Sequence, residues 1–148
     1  MQLSGHKIFP ISRAQTFAML TNPEVIIRCM PGLKSLKTTG KNQYDAELEI
    51  GVAGLKGTYQ GNLQLTDIIP EQAYRLSVQG KGPMGFMESD VQVRLTDHEK
   101  GTQVHYQGVA KVGGTVAGVG QRVLSGVATL LINQFFNTVA KEAQQGQA

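Results

Sequence analysis

Few side chains in this sequence could do chemistry, and their spacing limits what that chemistry could be. His6, His98 and His105 stand far apart, Cys29 is the only cysteine, and Asp45, Glu47 and Glu49 alternate along one stretch. A metal site needs ligands grouped at short, defined spacings. Three isolated histidines offer none, so they read as solvated imidazoles. A lone cysteine excludes a disulfide framework; just before Pro31-Gly32, it reads as a small buried residue rather than a nucleophile. Acidic residues interleaved with Ala46 and Leu48 lie on the outer face of a strand and do not form a paired acid–base dyad. Gly80-Lys81-Gly82-Pro83-Met84-Gly85 is a literal G-x-G-x-x-G. That motif cradles a pyrophosphate only where a helix follows it. Here an alternating segment follows, and Pro83 removes an amide donor, so the expectation is a hairpin rim. No Ser, His and acid set falls on one face, and the residues call for no metal or cofactor.

The elements that must position these residues follow from periodicity. Residues 3–9 read as a strand ended by Pro10. Ser12 caps a short helix over 13–20, and Asn22-Pro23 opens a second one that Pro31-Gly32 stops. From Leu33 to Val112 the period is two: Tyr44, Ala46 and Leu48; Tyr59, Leu63 and Leu65; Tyr74, Leu76 and Val78; Met87, Val91 and Val93; Val104, Tyr106 and Ala110. Each run alternates with polar residues, giving an antiparallel sheet with one dry face. Breaks at Gly40-Lys41-Asn42, Pro70-Glu71-Gln72 and Glu99-Lys100-Gly101 predict hairpins. After Gly113-Gly114 the spacing returns to three and four, predicting one helix over 115–143 that covers the dry face. The fold class is α+β, with a single domain over 1–143 and a frayed polar tail over 144–148.

Composition is consistent with that reading. The chain has 148 residues, 41% apolar and 17% charged, with a formal net charge of +3. One domain of this size buries a sufficient core without staples. The basic residues are scattered; the only concentration is Lys34, Lys37 and Lys41, which is not the dense stripe of a nucleic-acid binder. Residues 1–10 lack the apolar core of a signal peptide. No stretch of about 18 consecutive apolar residues predicts a transmembrane helix.

Glycine is in excess, at 18 of 148 residues against an average of about 7%. Gly57, Gly61, Gly80, Gly82, Gly85 and Gly108 share the parity of the dry face, Gly51 that of the wet face, and Gly54 reads as a turn. Two readings stand: the sheet bends sharply, or an unfilled interior receives an apolar ligand.

Several segments resemble the G-subunit family of carbon monoxide dehydrogenases. They are Leu3-Ser4-Gly5, Asn22-Pro23-Glu24, Arg28-Cys29-Met30-Pro31-Gly32, Gly80-Lys81-Gly82 with Gly85-Phe86, Val112-Gly113-Gly114, and Asn133-Gln134-Phe135-Phe136. The resemblance implies a helix-grip (START-like, Bet v 1-like) fold, with a seven-stranded curved antiparallel sheet around a long C-terminal helix and two short helices after strand 1. It also implies a role beside aerobic molybdenum-containing dehydrogenases, binding a quinone-like apolar molecule and recruiting the enzyme to the membrane. Some members carry a C-terminal extension; this sequence ends at Ala148. The expectation is therefore a cytoplasmic ligand-binding domain with peripheral contact at the inner face of the membrane.

On this reading the protein is a non-enzymatic carrier of a quinone- or lipid-like molecule. Tyr59, Leu63, Leu76, Val78, Phe86, Met87, Val91 and Tyr106 would line the sheet side, with Gly61 and Gly108 leaving space. Val119, Val123, Val127 and Leu130 would line the helix side, and Met30, Met84 and Phe86 the mouth. Two rivals remain. One is a START-like enzyme acting on a small hydrophobic substrate, for which Tyr59 and Tyr106 are the only dry-face hydroxyls. The other is an assembly factor that works through its surface.

Overall fold

The computed structural model describes residues 1–52 and 55–146. The expected Gly54 turn lies outside them. The chain opens with β1 (Gln2–Phe9), followed by α1 (Arg13–Leu20) and α2 (Pro23–Cys29). Ser12 and Gln15 form a reciprocal capping box at the start of α1, and the Asn22 side chain accepts from the Glu24 amide at the start of α2. These caps satisfy amides that have no partner within their own helix.

Six strands follow: β2 (Leu33–Gly40), β3 (Gln43–Ile50), β4 (Gly57–Ile69), β5 (Ala73–Gly82), β6 (Gly85–His98) and β7 (Gly101–Gly113). With β1 they form one antiparallel sheet in the order β1-β7-β6-β5-β4-β3-β2. The three predicted hairpins are present. The glycine motif is a fourth, with Pro83-Met84 joining β5 to β6. Lys34 pairs with Glu49, and Lys37 lies opposite Asp45. Two of the three lysines of the basic concentration thus lie beside the acidic row of the next strand.

The predicted single helix over 115–143 is divided. Residues Thr115–Val119 form a 3-10 turn, Gly120 takes φ +101°, and α3 runs over Gln121–Gly146. A left-handed φ there suits glycine and ends the first helical segment. The tail expected to fray from Gln144 is helical as far as Gly146.

The core lies at one end of the sheet-and-helix sandwich. Phe9, Val104 and Val139 are fully buried, with Leu20, Leu95, Tyr74, Tyr106 and Phe136 around them. Phe136 packs its ring edge-on against Phe9 at 5.9 Å and lies 5.7 Å from Tyr106. Phe17 of α1 meets Tyr74 in the same edge-on manner. Such pairs add about 0.5–1.5 kcal/mol beyond area burial. The Thr102 hydroxyl donates to the Ile11 carbonyl, tying the β1–α1 connection to β7. The Arg28 guanidinium holds both carboxylate oxygens of Glu142, joining α2 to the C-terminal half of α3.

Candidate functional site

The inner face of the sheet differs along its length because of where its small residues fall. Gly61 lies between Ala46 on β3 and Gly80 on β5, and Gly80 lies beside Met87 on β6. This lane is not covered: Ala46, Gly61 and Gly80 are half-buried, and Met87 is exposed. The N-terminal half of α3 is the helical counterpart. Leu124, Val127, Ala128 and Leu131 are half-buried, while Val123 and Leu130 are exposed at 45% and 51%. In the most apolar 18-residue stretch of α3 only 22% is buried. By length and composition alone α3 could cross a membrane, contrary to the sequence expectation. Its C-terminal half, however, supplies Phe136, Val139 and Ala143 to the core.

The expected lining residues separate into three groups. Leu63, Val91 and Tyr106 belong to the closed core. Tyr59, Leu76, Val78, Val119 and Val127 are half-buried, as are Met30 at the end of α2 and Met84 in the β5–β6 turn. Phe86 departs from expectation. It lies opposite Lys81 and Gly113, on the outer parity of Glu88 and Asp90, and is 45% exposed. Val123 and Leu130 depart as well: the helix face turned to the core runs through Ala128, Ile132, Phe135 and Phe136.

The glycines also divide. A Cβ on Gly61 would overlap the Gln79 carbonyl, and one on Gly108 would overlap the Asp90 carbonyl. These two positions are closed by neighbouring backbone and hold no space for a ligand, so close backbone approach explains them. Gly5, Gly82 and Gly113 lie beneath the rings of Tyr106, Tyr59 and Phe86, each on a different strand from its glycine. An aromatic ring over a cross-strand glycine restores the packing that the missing side chain forfeits. Gly80 alone among these sheet glycines has open space where its Cβ would stand, with nothing within 4 Å.

Polar chemistry is sparse on the inner side. The Tyr59 hydroxyl donates to the Leu55 carbonyl at 2.7 Å. Burial pushes the hydroxyl pKa of Tyr59, Tyr74 and Tyr106 up, away from the range of a working base. Burial likewise raises the Cys29 thiol, next to Arg28 and Glu142. Among the described residues no three His, Cys, Asp or Glu groups converge to hold a metal. His6 and His105 do face each other across β1 and β7, with ring centroids 6.0 Å apart. Only the strand register brings this pair together, and sequence spacing could not reveal it.

Two depressions open on the surface. One, of about 840 Å³, lies over the outer residues of β2 to β5, including Lys37, Asp45, Glu47 and Lys81. The other, of about 550 Å³, lies between β1 and the C-terminal half of α3.

An open seven-stranded antiparallel sheet, two short helices after the first strand and a long C-terminal helix define a helix-grip, START-like protein. Solved structures share this fold. A conserved protein from Geobacillus kaustophilus is 37% identical, with TM-score 0.94, covering 98% of this chain and 96% of its own. A Thermus thermophilus protein at 9% identity has TM-score 0.75 over the full length of both chains. A Chromobacterium violaceum protein at 11% identity has TM-score 0.71 over 95% of each. No curated protein sequence matches the chain. The chain belongs to the CoxG family, the G-subunit family of carbon monoxide dehydrogenase, whose model matches residues 7–144.

Proposed function

We propose that the protein is a non-enzymatic carrier that holds an apolar, quinone- or lipid-like molecule between the sheet and the N-terminal half of α3. It serves as an accessory factor to a molybdenum-containing dehydrogenase of the carbon monoxide dehydrogenase type. Family membership supports association with such an enzyme. The observation that carries ligand binding is the uncovered inner lane around Gly80, together with a long helix that is apolar yet little buried. A soluble domain rarely leaves apolar surface from two elements uncovered without a use for it. A ligand seated there would gain about 25 cal/mol per Å² of apolar area, before the costs of association. The raised tyrosine hydroxyls and the sparse inner polar groups favour a carrier over an enzyme. The carrier works in the cytoplasm and loads at the inner face of the membrane by peripheral contact.

The test is organic extraction of the purified protein, followed by add-back of a short-chain quinone monitored by native mass spectrometry. Gly80→Leu is the diagnostic variant, because its Cβ enters open space with nothing within 4 Å. It should weaken quinone retention about tenfold or more, equivalent to ~1.4 kcal/mol, while leaving the fold intact. Failure of wild-type protein to retain any of several quinones and lipids overturns the proposal.

A further inference from the structure

The depression between β1 and α3 gathers Lys7, Lys100 and Lys141 over a floor of Ile8, Pro10 and Ala140. These lysines come from three separate elements: an edge strand, the β6–β7 turn and the last third of α3. No carboxylate lines the depression, and among the described residues none of the three lysines forms a salt bridge. Other cations also lack a salt bridge among the described residues, Lys81 and Lys111 among them, but the depression that holds Lys37 and Lys81 also holds Asp45 and Glu47. The charge lining the depression at β1 is positive only.

The backbone beside it has unused hydrogen-bonding capacity. β1 is an edge strand, paired only with β7. Met1 and Ala110 exchange both backbone hydrogen bonds, at 3.0 and 2.8 Å. Antiparallel pairs alternate between bonded and non-bonded. The N–H and C=O groups of His6 and Ile8 thus turn toward the free edge. Lys7, between them, has the inner parity of Leu3, Gly5 and Phe9. A lysine directed inward on an edge strand repels most strands that might add there. It would not repel one that brings negative charge.

We propose that this edge is a docking site for a short, extended, acidic segment of a partner protein. The segment adds to β1 through the backbone groups of His6 and Ile8, and its carboxylates meet Lys7, Lys100 and Lys141. Asn137 and Gln144 supply further amide groups at the rim. The lysines border one depression beside a free strand edge, which favours a chain segment over a membrane surface. The site is separate from the apolar lane and does not depend on it.

The test is fluorescence anisotropy with a labelled peptide of alternating glutamate and valine, at ionic strengths of about 0.05 and 0.3 M. Saturable binding that weakens with salt is expected. Lys100→Ser/Lys141→Ser should weaken it about tenfold, the sum of modest exposed pairs. Both lysines are exposed, so this variant should fold even if Lys7→Ser does not. Lys34→Ser, a loss of positive charge elsewhere, should leave binding unchanged. Methylating the peptide amides that face β1 should also weaken it. Equal binding by wild type and the double variant overturns the proposal. So does full competition by inorganic phosphate without an effect of amide methylation, which marks a small-anion site. Lysine-dependent binding to phosphatidylglycerol vesicles, with none to the peptide, overturns it in favour of a membrane surface.

Discussion

The two halves of α3 are treated in opposite ways. The C-terminal half is closed: Phe136, Val139 and Ala143 are buried, and Arg28 of α2 clamps Glu142 from outside the core. The N-terminal half is also apolar but lies open, with Val123 and Leu130 exposed and none of its residues buried. Stability is thus concentrated at one end, and the other is free to serve as a surface. One helix can do both because its two halves make different contacts, not because their compositions differ greatly.

The largest test of that contrast is truncation at each end. Phe136→Ala should cost about 3–5 kcal/mol in urea denaturation, whereas Leu130→Ala should stay within about 0.5 kcal/mol. Comparable losses at both would mean that the open end is structurally closed in solution. The glycines sharpen the same boundary. Gly61→Ala and Gly108→Ala force a Cβ into neighbouring backbone and should cost about 1–3 kcal/mol. Gly80→Ala has room and should be neutral or stabilising by about 0.4–1 kcal/mol.

A smaller effect should appear at alkaline pH and belong to the closed end. Burial raises the Tyr74 hydroxyl, so the fold favours its neutral form. That contribution is fully present below the unfolded value of about pH 10 and is lost as pH rises beyond it. Chemical denaturation should show stability falling above about pH 10, and Tyr74→Phe should flatten that slope. The smallest effect concerns the α2–α3 clamp. Hydrogen bonding from Arg28 holds the Glu142 carboxyl below its ordinary range. Its contribution is present above the unfolded carboxylate value and disappears as pH falls through the lowered folded one. Glu142→Gln should speed amide exchange in α2 and the last turns of α3, with little change in global stability.

The sheet was legible because polar and apolar residues alternate cleanly, and the short helices because Ser12 and Asn22-Pro23 mark their starts. The phase of α3 was not. Val123, Leu124, Val127, Ala128, Leu130 and Leu131 place apolar residues around much of the helix, so no single stripe points inward. The turn at Gly120 sets the direction, and its left-handed φ is visible only in three dimensions. Parity located the glycines on the inner face but could not say whether backbone, a ring or open space lay above each. Phe86 departs because it alternates with Gly85 and Met87, whose parity is the inner one, so its ring belongs to the outer face. The gathering of Lys7, Lys100 and Lys141 depends on three elements distant in sequence, which no local pattern reports.

The three rings seated over cross-strand glycines have a consequence for how this sequence can drift. Tyr106 with Gly5, Tyr59 with Gly82 and Phe86 with Gly113 each occupy one shared volume. Giving the glycine a side chain is tolerated only if the ring opposite shrinks or moves. Related sequences should therefore inherit these positions as couplets, glycine with aromatic or neither, even where the strands around them have diverged.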